Sequence, residues 1–142
     1  MIKALAQKIY AAHVDPQAVA TWRPPQGMRA EICSFDAREG GGYRMAFVYE
    51  DASVLGKTSA NADVFEGKFV ELVPDERIVE RIEFKSDDPA FAGHMTITTT
   101  LVAVTDGTQV SIVCENVPDG ISAADHQVGM ASTLANLVGF VE

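Results

Sequence analysis

The chain has 142 residues, of which 47% are hydrophobic and 22% charged, and its formal net charge is −9. This composition is typical of a globular domain and excludes a disordered chain, which would be poorer in apolar residues. The acidic balance argues against nucleic acid and against an anionic membrane surface as partners, because both bind clustered Lys and Arg. No apolar run approaches the ~18 residues of a membrane helix and no signal peptide is visible, so we expect a cytoplasmic protein.

Two short helices are predicted at the start of the chain. The first covers Ala4 to His13, where apolar residues recur at helical spacing. Asp15 followed by Pro16 is a typical helix start, with Asp as the N-cap and Pro at the first helical position. This second helix would end near Trp22, before a Pro-rich segment.

Six strands follow, and most are joined by hairpin signals. They are predicted over Met28–Asp36, Tyr43–Glu50, Val64–Val73, Ile78–Phe84, His94–Val104 and Thr108–Val117. The glycines at 40–42 and the Asp106-Gly107 pair predict tight turns. The polar segments 51–62 and 86–93 predict loops. Because hairpins join strands that are consecutive in sequence, the sheet should be antiparallel.

A single long helix is predicted at the end of the chain. Ser122 can cap it, and Asp125 suits its first turn. The apolar residues of one helical stripe are Met130, Leu134, Leu137, Val138 and Val141. The expected fold is α+β, a single domain over residues 1–142 in which an antiparallel sheet of about six strands curves around this helix. Any gap between sheet and helix would form an apolar pocket.

Short motifs occur in a characteristic order along almost the whole chain. They are Ile9-Tyr10-Ala11-Ala12, Asp15-Pro16, Trp22-Arg23-Pro24-Pro25, Asp36-Ala37-Arg38-Glu39-Gly40-Gly41, Tyr43-Arg44-Met45, Gly67-Lys68-Phe69-Val70-Glu71-Leu72-Val73-Pro74, Arg77-Ile78-Val79, Gly107-Thr108 and Gly129-Met130. In this order they resemble the START-like (SRPBCC) superfamily, and within it the heat-shock-protein-90 ATPase activator-like (AHSA-type) group. The resemblance implies a helix-grip fold with a hydrophobic cavity between the sheet and the last helix. Relatives bind lipids, sterols, hormones or polyketides, and a minority catalyse cyclisation or lyase reactions.

The chain departs from the family pattern in two places. Only three residues precede Ala4, so the first strand of the family is missing or vestigial. Its loss would leave a sheet edge open to another chain, which makes a homodimer one possible assembly. The family tends to have Gly-Trp in the last helix where this chain has Gly129-Met130, so its cavity would be larger or differently shaped.

Eight residues are the candidate ligand-binding set: Trp22, Met45, Phe47, Phe69, Phe84, His126, Met130 and Leu134. Core packing is the ordinary role of each apolar member, but together they would line a pocket. For Trp22 the alternative is a packing anchor for the Pro-rich segment. His126 shares a helical face with Met130 and is the one nominee for a general acid or base, unless it is solvated. His13 and His94 are expected at the surface.

Two questions stay open at this level. Arg44 points outward if Met45 points inward, but in the other register it would be a buried cation needing Glu66 or Glu71. Cys33 and Cys114 can form a disulfide, although reduced buried thiols are the usual state in the cytosol.

The sequence contains no catalytic triad, metal-ligand cluster or nucleotide-binding motif, and we expect no cofactor. The favoured function is the binding of a small hydrophobic molecule such as a lipid, an aromatic or a polyketide-like compound. The alternatives are a chaperone-associated or other protein-interaction module and, after it, an enzyme of the cyclase or lyase type using the same cavity.

Overall fold

The computed structural model describes residues 2–25, 27–49, 62–85, 89 and 93–142, which form three helices and one six-stranded sheet. In chain order the elements are α1 (Ala6–Val14), α2 (Pro16–Trp22), β1 (Met28–Phe35), β2 (Gly42–Tyr49), β3 (Ala62–Val73), β4 (Arg77–Phe84), β5 (Met95–Val104), β6 (Gly107–Glu115) and α3 (Ala123–Val141). The element types and their order confirm the prediction, with ends displaced by one or two residues. Residue 50, all but the last residue of the predicted loop 51–62 and most of the predicted loop 86–93 lie outside the described residues.

The six strands are ordered β1 to β6 across the sheet, and every neighbouring pair is antiparallel. This is the meander that consecutive hairpins produce, and it confirms the helix-grip fold. The register slips at Ile32/Ser34 in β1 and at Phe69/Glu71 in β3, as β-bulges do. Such bulges increase strand twist and help the sheet to curve.

The predicted caps of two helices are present. The side chain of Asp15 accepts a hydrogen bond from the amide of Gln17 at 3.0 Å, and Pro16 opens α2. The Ser122 hydroxyl accepts from the amide of Asp125, also at 3.0 Å. Each cap satisfies one of the amide groups that a helix start leaves without an intrahelical partner.

The orientation of β2 is settled by burial. Tyr43 and Met45 are buried on the inner face of the sheet, whereas the Arg44 side chain is 54% exposed on the outer face. Its guanidinium lies 3.9 Å from Glu66 of β3, which is directly opposite in the register. Arg44 is therefore a surface cation, and the alternative of a buried one is wrong.

A single antiparallel bridge joins the segment before α1 to the edge strand β6. The backbone of Ile2 exchanges two hydrogen bonds with Thr108 at the start of β6, with N···O distances of 2.8 and 2.9 Å. A Cβ on Gly107 would lie 2.2 Å from the carbonyl oxygen of Ile2, so only glycine admits this close approach. Ile2 itself is buried, and the chain start is thereby fixed to the sheet.

The two halves of α3 have different surroundings. Leu137 and Val141 are buried against Ile9 and Trp22 in a core shared by the three helices and the sheet. No residue of the first half, 123–133, is fully buried. Among the described residues, no helix has the length and apolar character needed to cross a membrane.

Candidate functional site

A cavity of about 590 Å³ lies between the inner face of the sheet, the end of α2 and the first half of α3. Most of its wall is apolar. The apolar side chains that line it are Trp22, Pro25, Met28, Phe47, Phe65, Ile82, Phe84, Met95, Ile97, Ile112, Ile121, Val128 and Met130. The volume is in the range of pockets that enclose a small organic molecule.

Part of the cavity wall is polar and deeply buried. Nη1 of Arg23 donates to Oε1 of Glu80 at 2.7 Å, and Nη2 donates to the Tyr43 hydroxyl at 3.1 Å. The Tyr43 hydroxyl donates in turn to the same oxygen of Glu80 at 2.7 Å. The side chains of Arg23 and Glu80 are 11% and 3% exposed, so this is a buried ion pair with a phenol as third member.

The position of Glu80 follows from strand alternation. Ile78, Glu80 and Ile82 point to the inner face of β4, so the carboxylate sits between two buried apolar side chains. Burying such a group is costly unless it is paired and hydrogen-bonded. Arg23 and Tyr43 supply those partners.

Hydrogen bonds from α3 fix the backbone at Arg23. It follows the last turn of α2, and its own carbonyl oxygen accepts a hydrogen bond from the Thr133 hydroxyl at 3.1 Å. The next carbonyl, of Pro24, accepts from the Asn136 side chain at 2.9 Å. The connection after α2 is therefore fixed to α3, and this directs the guanidinium into the molecule.

The electrostatics of the ion pair keep both members charged. Burial alone would raise the pKa of Glu80, but the charge of Arg23 and the hydrogen bonds from Tyr43 and Arg23 outweigh it, so the pKa lies below its ordinary value. Burial raises the pKa of the Tyr43 phenol well above 10.0, and the phenol stays protonated. The pair is neutral as a unit.

His13 also lines the cavity and is only 3% exposed. Nδ1 lies 2.8 Å from the carbonyl oxygen of Ile9, and the ring contacts Trp22 edge-on with centroids 4.8 Å apart. The Trp22 indole N–H donates to the carbonyl of Ala12 at 2.8 Å, which fixes the second ring as well. Burial lowers the pKa of His13 below its ordinary value, so the imidazole is neutral at pH 7.

The eight predicted ligand-binding residues divide into two groups. Five line the cavity: Trp22, Phe47, Phe84, His126 and Met130. Met45 and Phe69 are fully buried in the sheet core away from the lining, and Leu134 is 38% exposed on α3. The use of any of these residues in ligand binding stays a prediction.

Sequence reasoning missed three buried polar residues of the wall, His13, Arg23 and Glu80. The expectation that His13 lies at the surface is wrong, because Ile9 and His13 are one helical turn apart and share the buried face of α1. The signal for Glu80 was a carboxylate at an apolar position of an alternating strand. The sequence around Arg23 contains no such signal, because the path of the segment after α2 depends on its hydrogen bonds with α3.

No group of three or more metal-ligating side chains occurs within the described parts of the chain. Cys33 and Cys114 are both free thiols.

The sequence matches the family described as "Activator of Hsp90 ATPase homolog 1-like protein" over residues 3–142. A crystal structure from Chromobacterium violaceum is 35% identical, with a TM-score of 0.88 over 99% of this chain and 92% of that one. Structures from Rhodobacter sphaeroides and Staphylococcus epidermidis are 18% and 19% identical, with TM-scores of 0.76 and 0.74. They cover 98% and 99% of this chain and 85% and 84% of their own lengths, and at such identity they show the fold alone. No curated protein is similar enough to be matched. The match over almost the whole sequence, together with the shared fold, shows that this chain belongs to the Activator of Hsp90 ATPase homolog 1-like family.

Proposed function

We propose that the protein binds a small hydrophobic ligand, such as a lipid, an aromatic or a polyketide-like molecule, in the cavity beneath α3. The observation that carries the proposal is the cavity itself, which is large and mostly apolar. A close-packed domain of this size rarely leaves such a space, because each void forfeits packing contacts. A ligand that fills the space would recover those contacts.

The glycines of α3 provide a matched pair of variants for the test. Gly129 lines the cavity, and Gly139 lies ten positions further on, at an exposed position of the second half of the helix and outside the cavity lining. A Cβ at either position would meet no heavy atom within 4 Å, so both accept a side chain in the backbone they have. Gly129→Phe would fill the cavity, whereas Gly139→Phe would add the same group outside it.

Native mass spectrometry and thermal-shift measurements against a panel of lipids and aromatics form the experiment. We expect at least one class to bind the wild-type chain and the Gly139→Phe variant, and to lose binding to Gly129→Phe. Equal binding by the two variants would place the ligand elsewhere, and the absence of any bound class would overturn the proposal.

A protein-interaction module is the second candidate, and the description of the family favours it. The chain also exposes apolar side chains at several positions of α3, with Val128 at 70%, Phe140 at 40% and Leu134 at 38%. A homodimer through the edge of β6 beyond the Ile2 bridge is one form of this candidate. Light scattering at high concentration tests it, and a monomer would count against the dimer.

An enzyme of the cyclase or lyase type is the third candidate. His126 reaches the cavity, and His13 offers a buried imidazole beside a buried cation. A general base needs such a group near the reacting atom. Turnover of a bound compound that ceases in a His13→Phe or a His126→Phe variant would support catalysis. We also propose the cytoplasm as the site of action, which agrees with two unpaired thiols.

A further inference from the structure

Two hydrogen-bond acceptors in the buried polar part of the wall have no partner among the residues that the structure describes. A carbonyl oxygen can only accept, so Nδ1 of His13 carries the proton that it donates to Ile9. Since the neutral ring has one N–H, Nε2 carries a lone pair. Both bonds to Glu80 go to Oε1, and Oε2 accepts none from the described residues.

These two atoms face the cavity. Within the described parts of the chain, no buried side-chain nitrogen or oxygen is left without a partner. Nε2 and Oε2, which have none, must therefore be reachable from an open space. His13 is 3% exposed, Glu80 is 2% exposed, and both line the cavity, so that space is the cavity.

The charge of the wall restricts the group that can bind there. Arg23 and Glu80 neutralise each other, and His13 is neutral, so the buried polar part of the wall carries no net charge. The Asp125 carboxylate also lines the cavity, but it belongs to an exposed residue in the first turn of α3. A ligand carboxylate would compete with Glu80 for Arg23 and leave a buried negative charge, while an ammonium would leave a buried positive one. A neutral hydroxyl donates to a free acceptor without adding a charge.

We infer that the cavity takes a neutral, largely apolar molecule that carries a hydroxyl group, and that the hydroxyl turns inward to donate a hydrogen bond to Nε2 of His13. The inference rests on the proposed ligand-binding function and names its ligand class. His13 selects the hydroxyl, and the rings and aliphatic side chains of the remaining wall enclose the apolar body. Glu80 provides a second acceptor for a ligand with two hydroxyl groups.

Three probes with one ring system test the inference. They are 2-naphthol, which donates a hydrogen bond, 2-methoxynaphthalene, which only accepts, and 2-naphthoate, which is charged. We expect calorimetry at pH 7.5 to find the naphthol bound roughly tenfold more tightly than the methoxy compound, as one hydrogen bond allows. The naphthoate should bind more weakly than the naphthol.

Variants of His13 identify the acceptor. His13→Phe keeps a ring but no acceptor, so the naphthol and the methoxy compound should bind it with nearly equal affinity. His13→Gln keeps an acceptor and should retain part of the preference for the naphthol. His94→Phe, an exchange at a half-exposed histidine outside the cavity, is the control and should keep the wild-type ratio. Circular dichroism checks that each variant is folded.

The outcomes separate this inference from the proposed function. Equal wild-type affinities for the naphthol and the methoxy compound, or an unchanged ratio in the His13→Phe variant, would overturn the inference. The wild-type comparison needs no variant and decides even if His13→Phe fails to fold. If lipids without a hydroxyl group bind but neither the naphthol nor the methoxy compound does, the inference is overturned and the proposed function stands. If no compound of any class binds, both are overturned.

Discussion

The aromatic ring of Tyr43 lies over the backbone of Gly67, where any side chain would collide with it. A Cβ built on Gly67 would be 2.1 Å from Cζ and 2.4 Å from the hydroxyl oxygen of the Tyr43 ring. The two residues face each other in the register of β2 and β3. The glycine leaves the space through which the phenol reaches Glu80, so the buried ion pair depends on a residue that does not touch it.

We therefore expect Gly67→Ala to destabilise the fold by about 1–3 kcal/mol, the usual cost of forcing extra atoms into a packed site. The measurement is the free energy of unfolding in urea. The control is the same change in a Tyr43→Leu background, where the ring is gone and the added cost should be much smaller. An equal cost in both backgrounds would contradict the relationship.

The ion pair itself should behave as a unit. Arg23→Met leaves the Glu80 carboxylate buried without its cation, and we expect a loss of about 3–5 kcal/mol. Replacing all three partners, as Arg23→Met, Tyr43→Phe and Glu80→Leu together, removes the unpaired charge. This triple variant should be much more stable than the sum of the single changes predicts, as measured by urea unfolding; additive losses would argue against a coupled group.

The fold should lose stability in mild acid because of His13. Its folded pKa lies below the ordinary 6.5, so the unfolded chain binds more protons in the interval between the two values. The contribution of the neutral ring is complete above pH 6.5 and is lost as the pH falls towards the folded pKa. Glu80, whose pKa is lowered from 4.5, adds a loss of the same sign only below that pH.

The midpoint of urea unfolding at pH 7.5, 6.5 and 5.5 measures this effect. Between the upper and lower pH, the wild-type midpoint should fall by more than that of His13→Phe, which has no imidazole to protonate. Parallel curves for the two proteins would mean that His13 does not carry the dependence.

Gly129 should tolerate alanine with a gain in stability. It lies in the interior of α3 with open space around its missing Cβ. Exchange of a helical glycine for alanine then contributes about 1 kcal/mol, because the backbone loses less entropy on folding. Thermal unfolding of Gly129→Ala is the measurement, and Gly139→Ala, in the same helix but away from the cavity, should give a similar gain. A destabilised Gly129→Ala would mean that the space beside this glycine is already filled.

The architecture could be predicted from the sequence because the signals that specify it are local. The caps at Asp15 and Ser122, the Asp106-Gly107 turn and strand alternation each act over a few residues, and their order determines a meander ended by a helix. Which face of β2 points inward could not be predicted, since apolar residues occupy both of its faces and only packing decides that Arg44 points outward.

The polar part of the cavity was harder to predict because its residues come from distant parts of the chain. Arg23 and Glu80 are 57 positions apart, and their pairing depends on the hydrogen bonds that Thr133 and Asn136 of α3 make with the connection after α2. The apolar candidates show the same limit. Phe47 and Phe69 both point inward, yet only Phe47 reaches the cavity, since Phe69 is covered by Phe35 and Tyr43.

The unequal burial of α3 also sets how the cavity can exchange its contents. Leu137 and Val141 fix the second half of the helix in the core, while the first half lies over the cavity without one buried side chain. Partial opening that begins at Ser122 would uncover the cavity and leave both anchors in place. Local openings cost less free energy than global unfolding when they break few buried contacts. Amide hydrogens over 126–133 should thus exchange with solvent well before those over 137–141, and the unwinding of two helical turns would widen access to the cavity without unfolding the domain.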